Sequence, residues 1–402
     1  MPLCVTGAGV VSTLGVGRKN FHDALCDLPQ TERRLESLTE VSIDGALSTT
    51  LLSDFDPSEY LGKKGLRNID RLTGFLIVAG RDALRDAGLK GDDGTFRVYE
   101  AHRVGICSAT AYGSLDAITE LNRVAELEDP RYINPARFPN TVINAAAGYV
   151  SIWEGLKAPN TTIVDGNCGG LDAILYAATH LNAGRGDAFL VGGGEVCSEP
   201  LQLAMRKLAR FAPSYAGGAH GGGSAEDPGR ASQCLRLGEG AVFLAVERTS
   251  DAYDRGAHVL ARLAGFGTAF EPPSSEAQLV GVSREAIERA ARGAISDAGL
   301  RPCDIDVVCG ASCSARAVDT EEIKAWASVF GEQTAVVAPK RLYGETFGAA
   351  GAFGMLHALS WFQGAPIQPL LSGHLPSRVE HVLIATVGFY GNVSAAVLAR
   401  TS

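Results

Sequence analysis

The stretch of this sequence best suited to chemistry is Asp165-Gly166-Asn167-Cys168-Gly169-Gly170-Leu171-Asp172. A β-rich run ends there in small residues and a long apolar helix begins, which places Cys168 at a helix N-terminus. Backbone N–H groups and the positive end of the helix dipole favour a thiolate at such a point. Flanking glycines leave room for a substrate carbonyl beside the sulfur, so the pattern reads as a nucleophile elbow suited to acyl transfer. A buried structural thiol in a tight turn has the same local sequence, and this stretch alone leaves both readings open. The nine cysteines, at 4, 26, 107, 168, 197, 234, 303, 309 and 313, form no Cys-x-x-Cys pair and no matched spacing. Neither a metal site nor a disulfide framework is expected, and most of them read as small buried hydrophobes.

Positioning such an elbow requires strands and helices in alternation. The 48 glycines of 402 residues, with only 7% aromatics, suit an α/β protein of many tight turns. The order of elements recurs. LIVAGRDALRDAGL at 76–89 pairs with AIERAARGAISDAGL at 286–300, each with helical apolar spacing and each ending in Asp-Ala-Gly-Leu, so that Gly88 and Gly299 fall where helix C-cap glycines belong. Strands RVGICSAT and DVVCGASC follow these helices. Further on, a tight turn, a buried helix and a buried strand occur around Cys168 and again from Leu342 to Phe389. We read a duplication, with halves 1–252 and 253–402. The glycine-rich segment 210–234 reads as a flexible loop, either at a site entrance or simply on the surface.

Composition excludes several classes. There are 36 basic and 45 acidic side chains, a net charge of −9, and 46% of residues are hydrophobic. The chain is too apolar for disorder and too acidic for general nucleic-acid binding. No window approaches the length of a membrane span, and the N-terminal residues lack a signal-peptide pattern, so a cytoplasmic, membrane-free setting is expected.

With these motifs in place, the sequence resembles the β-ketoacyl synthases, condensing enzymes of fatty-acid and polyketide assembly. The resemblance runs through Val5-Thr6-Gly7-Ala8-Gly9, Asp70-Arg71, Asn144 to Gly148, Gly155 to Asn160, Cys168, Leu237 to Ala241, and Lys340 with Gly344 and Gly348-Ala349-Ala350-Gly351. It implies a thiolase fold: duplicated βαβαβαββ halves in a five-layered α-β-α-β-α core. It also implies a dimer and acyl carrier protein as partner, with the substrate on a phosphopantetheine arm and no bound cofactor or metal. In that family a cysteine carries the acyl chain while two histidines bind the malonyl thioester and stabilise the enolate.

Both histidines are replaced. Either Ala311 or Ser312 stands at the first position, in a loop one residue short, and Glu345 stands at the second. An ionised carboxylate there repels an enolate instead of donating to it. Glu322 and Lys340 match a supporting ion pair of the family. Gly388-Phe389-Tyr390-Gly391 matches a Gly-Phe-Gly-Gly stretch that gates the acyl pocket and lines the oxyanion hole, with Tyr390 at a glycine position.

Three functions follow from this pattern. The first is a chain-length-factor-like subunit that shapes the acyl tunnel of an active ketosynthase partner; many such factors replace the cysteine, whereas Cys168 is present here. The second is a non-condensing acyltransferase in which Cys168 carries the acyl group and Glu345 acts as base. The third, ranked last, is condensation by a Cys-Ser-Glu set. A purely structural scaffold that docks carrier protein is the alternative outside these classes. Homodimer and heterodimer are both compatible with the sequence.

Overall fold

The two copies of Asp-Ala-Gly-Leu terminate two helices in the same way. Helix Arg71–Asp86 is N-capped by Asp70, which accepts from the Thr73 amide at 2.8 Å, and helix Arg284–Asp297 by Ser283, which accepts from the Ala286 amide at 3.1 Å. Each ends on a glycine in the left-handed region, Gly88 at φ +66° and Gly299 at φ +68°. The next amide reaches back, from Leu89 to Leu84 and from Leu300 to Ile295. This computed structural model describes residues 2–43, 45, 47–211, 235–274 and 280–401, so most of the glycine-rich segment 210–234, and Cys234 with it, lies outside the described residues.

Strand order carries the duplication further. In the first half, numbering strands by chain order as Leu3–Ser12, Val104–Ala109, Asn160–Ile163, Ala188–Glu195 and Gly240–Arg248, the sheet runs 3-2-4-5-1. In the second, Ala261–Phe270, Val307–Cys309, Ala335–Val337, His381–Val387 and Asn392–Ala399 also run 3-2-4-5-1. Pairings agree as well: 3 with 2 and 2 with 4 are parallel, 4 with 5 and 5 with 1 antiparallel, in both halves. The halves join where Leu3–Val5 pairs with Ala261–Leu263. They differ at their outer edges. Strand Ala335–Val337 is covered by a further antiparallel strand, Leu370–Ser372, whereas Asn160–Ile163 ends the sheet among the described residues.

Helices Gly169–Asn182 and Ala350–Phe362 form the middle layer between the sheets, and the second is buried along its whole length. Their N-terminal ends meet closely at glycines: a Cβ on Gly170 would lie 2.9 Å from the Gly348 carbonyl oxygen, and one on Gly351 would lie 2.6 Å from Leu171 Cγ. Helix Arg71–Asp86 covers the outer face of the first sheet and helix Arg284–Asp297 that of the second, each over its own apolar cluster. The five layers implied by the resemblance are therefore present. Six of the eight described cysteines are buried, as expected, while Cys26 and Cys303 are exposed. No described helix is long and apolar enough to cross a membrane.

Candidate active site

The elbow forms where strand Asn160–Ile163 gives way to a 3-10 turn, Gly166–Cys168, that runs into helix Gly169–Asn182. Cys168 is fully buried, and its Sγ lies 3.5 Å from the carbonyl oxygens of Thr386 and Asn392, to which the thiol donates. Burial, with Asp172 nearby, pushes this thiol up to about 12. Its amide is spent on the Asp165 carbonyl. The sequence pattern predicts a thiolate favoured by the helix N-terminus; at this depth desolvation outweighs the dipole, and the sulfur is a neutral thiol.

Beside it opens a cavity of about 340 Å³ whose lining includes Tyr112, Asp165, Asn167, Phe270, Phe389, Tyr390 and Asn392. Cys168 is not part of its wall. The elbow residue that faces the cavity is Asn167, 2% exposed, with no hydrogen-bond partner for its Nδ2. Sequence reasoning passed over it because successive residues of a 3-10 turn point about 120° apart, and residue type alone does not say which one points inward.

The second-half residues gather in a separate buried cluster. Glu345 is 1% exposed, with Oε2 2.8 Å from Lys340 Nζ and Oε1 accepting from the Phe347 amide at 2.8 Å. The ion pair expected between Glu322 and Lys340 is thus made by Glu345, because the carboxylate at the former histidine position stands nearer the ammonium. Burial opposes the charge on Lys340, but Glu345, Glu322 and the other groups around it together hold the ammonium above its ordinary value. Glu322 instead accepts from Ser312 Oγ at 2.6 Å and from the Ala311 amide at 2.5 Å. Ser312 is fully buried, its hydroxyl directed at Glu322. Neither Ser312 nor Glu345 lines the cavity, and each carboxylate oxygen of Glu345 already holds a partner within the buried cluster.

Phe347 links cluster and cavity. It holds φ +43°, a left-handed conformation unusual for an aromatic residue, and stacks edge-on with Tyr112 (centroids 5.2 Å apart) and Phe389 (6.1 Å). In the turn Gly388–Gly391 the backbone requires glycine at Gly391, while Gly388 packs against the Asn392 side chain. A Cβ on Gly388 would lie 1.8 Å from Asn392 Oδ1, and Gly391 holds φ +92° with its missing Cβ 1.8 Å from the Glu271 carbonyl oxygen. Tyr390 sits between them at the cavity mouth, two-thirds exposed. A second residue the sequence did not single out is Glu195. Its buried carboxylate accepts from Thr110 Oγ1 and from the amides of Ala111, Tyr112 and Gly348, at 2.6–3.3 Å, tying the cavity wall to the second half. Burial raises it to about 7 against those donors. Its partners lie about 85 and 150 residues away, so no local pattern announces it.

Fold and elbow together define a thiolase-type acyl-handling protein. Family models for the beta-ketoacyl synthase N-terminal and C-terminal domains match residues 1–252 and 260–374. The 3-oxoacyl-[acyl-carrier-protein] synthase 2 of Vibrio harveyi is 30% identical over 87% of this chain and 82% of its own length. The chain belongs to the beta-ketoacyl synthase family. Among solved structures, the ishigamide ketosynthase/chain length factor superposes with a TM-score of 0.80 at 22% identity, covering 100% of this chain and 99% of that one. A type II PKS ketosynthase in complex with its acyl-carrier protein does so at 0.79 and 20%, with the same coverage.

Proposed function

We propose that this chain is a non-condensing subunit of the chain-length-factor kind, which pairs with an active ketosynthase and shapes the tunnel that receives the growing acyl chain. The observation that carries this reading is the elbow, where Asn167 faces the cavity while the Cys168 thiol is sealed behind it against two carbonyls. A carboxamide forms no acyl-enzyme, so in its working position this elbow lacks a nucleophile, as many chain-length factors do. The locked Glu345–Lys340 pair supports the same reading, since neither group is free to stabilise an enolate.

The docking face is the open sheet edge at Asn160–Ile163, flanked by exposed Val142, Ile152, Val164, Leu175 and Tyr176. Unpaired edges flanked by apolar side chains are covered in stable proteins. The acyl chain arrives on the phosphopantetheine arm of a carrier protein bound mainly by the partner, in the cytoplasm.

The test is co-purification with a cognate ketosynthase, followed by intact-protein mass spectrometry after exposure to acyl carrier protein thioesters. The expected result is a stable heterodimer in which only the partner is acylated, and in which Cys168→Ala changes nothing. An adduct on this chain that disappears in Cys168→Ala overturns the reading in favour of acyl transfer.

A further inference from the structure

We infer that Glu345 is a positioning residue: its carboxylate holds the Phe347 amide, and the Phe347 ring in turn fixes the Phe389 ring, so that the aromatic wall of the cavity is locked in one conformation. The lock lies within this chain and does not depend on the subunit reading above. It is built from the backbone outward. The Glu345 amide donates to the Arg236 carbonyl at 2.8 Å and its own carbonyl accepts from the Gly238 amide at 2.9 Å, which joins the residue to strand Leu235–Gly238. With the backbone fixed there, the side chain reaches Lys340 Nζ with Oε2 and the Phe347 N–H with Oε1, each at 2.8 Å. The next amide, that of Gly348, donates to Glu195 Oε2 at 3.3 Å, so two buried carboxylates from different halves hold successive N–H groups. Successive amides at the start of a helix favour anions, and here the chain supplies them itself.

Phe347 is the strained member of this chain of contacts. A φ of +43° is a conformation that a bulky residue keeps only where its surroundings impose it. The charge-assisted hydrogen bond from its amide to Glu345 imposes it here. In that conformation the fully buried ring meets Tyr112 edge-on at 5.2 Å and Phe389 edge-on at 6.1 Å, and both of these residues line the cavity. Their backbones are held independently, since the Tyr112 amide donates to Glu195 Oε1 at 3.2 Å and the Phe389 carbonyl accepts from the Gly281 amide at 2.7 Å. What is left to move is the Phe389 ring. It is 6% exposed, and in a close-packed interior a ring turns only if its neighbour gives way. While Glu345 holds Phe347, the neighbour stays, and the phenylalanine of the Gly388–Gly391 turn is a fixed wall.

The experiment is fluorine NMR of the full chain carrying para-fluorophenylalanine in place of Phe389, with two neutral double variants beside the parent. Glu345→Gln with Lys340→Met keeps a side-chain oxygen for the Phe347 amide; Glu345→Leu with Lys340→Met removes it at similar volume. Both lose the buried ion pair, so any effect of that loss on stability alone is common to the two. The expected result is one narrow resonance in the parent and in the Glu345→Gln pair. In the Glu345→Leu pair the resonance splits or broadens, and the Phe347 amide exchanges with solvent about tenfold faster, the scale of one buried hydrogen bond. Should that pair not fold, Glu345→Ala with Lys340→Met takes its place. Phe347→Leu, which leaves every carboxylate untouched, splits or broadens the same signal. Two resonances already present in the parent, a signal as narrow as the parent's once the oxygen is removed, equal broadening in the Glu345→Gln and Glu345→Leu pairs, or an unchanged signal in Phe347→Leu overturns the inference.

Discussion

A cysteine and an asparagine, adjacent in sequence, exchange the roles their types suggest. Cys168 has the reactive side chain and no access to the cavity; Asn167 has access and cannot attack. Cys168→Ser is accordingly expected to leave partner binding intact and to alter stability only modestly, as read by thermal melting of variant and parent side by side. Glu345→Ala strands the Lys340 ammonium in the core, and we expect a loss of about 3 kcal/mol or more in urea unfolding. His357 belongs to the same scale. It is fully buried against Phe21, Tyr343 and Trp361, neither ring nitrogen has a partner, and burial lowers it to about 3. A histidine depressed in the fold prefers to be neutral there, so its contribution is intact above the ordinary value near 6.5 and is lost as pH falls from there toward 3. His357→Phe should therefore reduce the acid-side loss of stability by a few kcal/mol across that window, measured by unfolding at stepped pH. The place of Cys168 at a helix N-terminus was legible in its flanking residues. The orientation of Cys168 was not, because it depends on turn geometry and on depth of burial.

At the scale of elements, the legible features were those with a local cause. Asp-Ala-Gly-Leu marked two helix ends because a left-handed residue after a helix needs glycine, and the structure has both. The pairing of Lys340 with Glu345 in place of Glu322 was hidden, since three charged groups converge there from two helices and a turn and only distance decides among them. The crossing of the two central helices was equally invisible in composition, although its glycines were quoted in both motifs. Gly351→Ala places a methyl group against Leu171 at the start of the elbow helix, and Gly348→Ala places one 2.5 Å from Thr110 Cα. Each should cost about 2 kcal/mol in denaturant unfolding, the range for overpacking a tight contact. Gly88→Ala, which meets no neighbouring atom, should cost only about 1 kcal/mol from its positive φ.

For the whole molecule, the recurrence of helix, strand, turn and buried helix suggested a duplication, and the identical strand order of the two halves realises it. What a single sequence conveys poorly is which surfaces stay uncovered. Leu175 and Tyr176 lie on the elbow helix beside the open edge, close enough for His180 of that helix to meet Thr161 at 3.2 Å, and both are about half exposed. Leu175→Asp is expected to weaken association with the ketosynthase partner by tenfold or more in size-exclusion or sedimentation experiments, while far-UV circular dichroism of the isolated chain stays unchanged.

The unequal treatment of the two sheet edges has a consequence for assembly size. A duplicated fold supplies two equivalent edges, and a subunit with both open can add neighbours at either end and grow into a fibre. Here Leu370–Ser372 lies along one of them, a three-residue strand too short to template much further pairing. Among the described residues of this sheet Asn160–Ile163 is then the uncovered edge, and a chain that docks through one edge, as proposed above, closes on one neighbour and stops. On that reading the small strand acts as a terminator that keeps a sticky architecture finite.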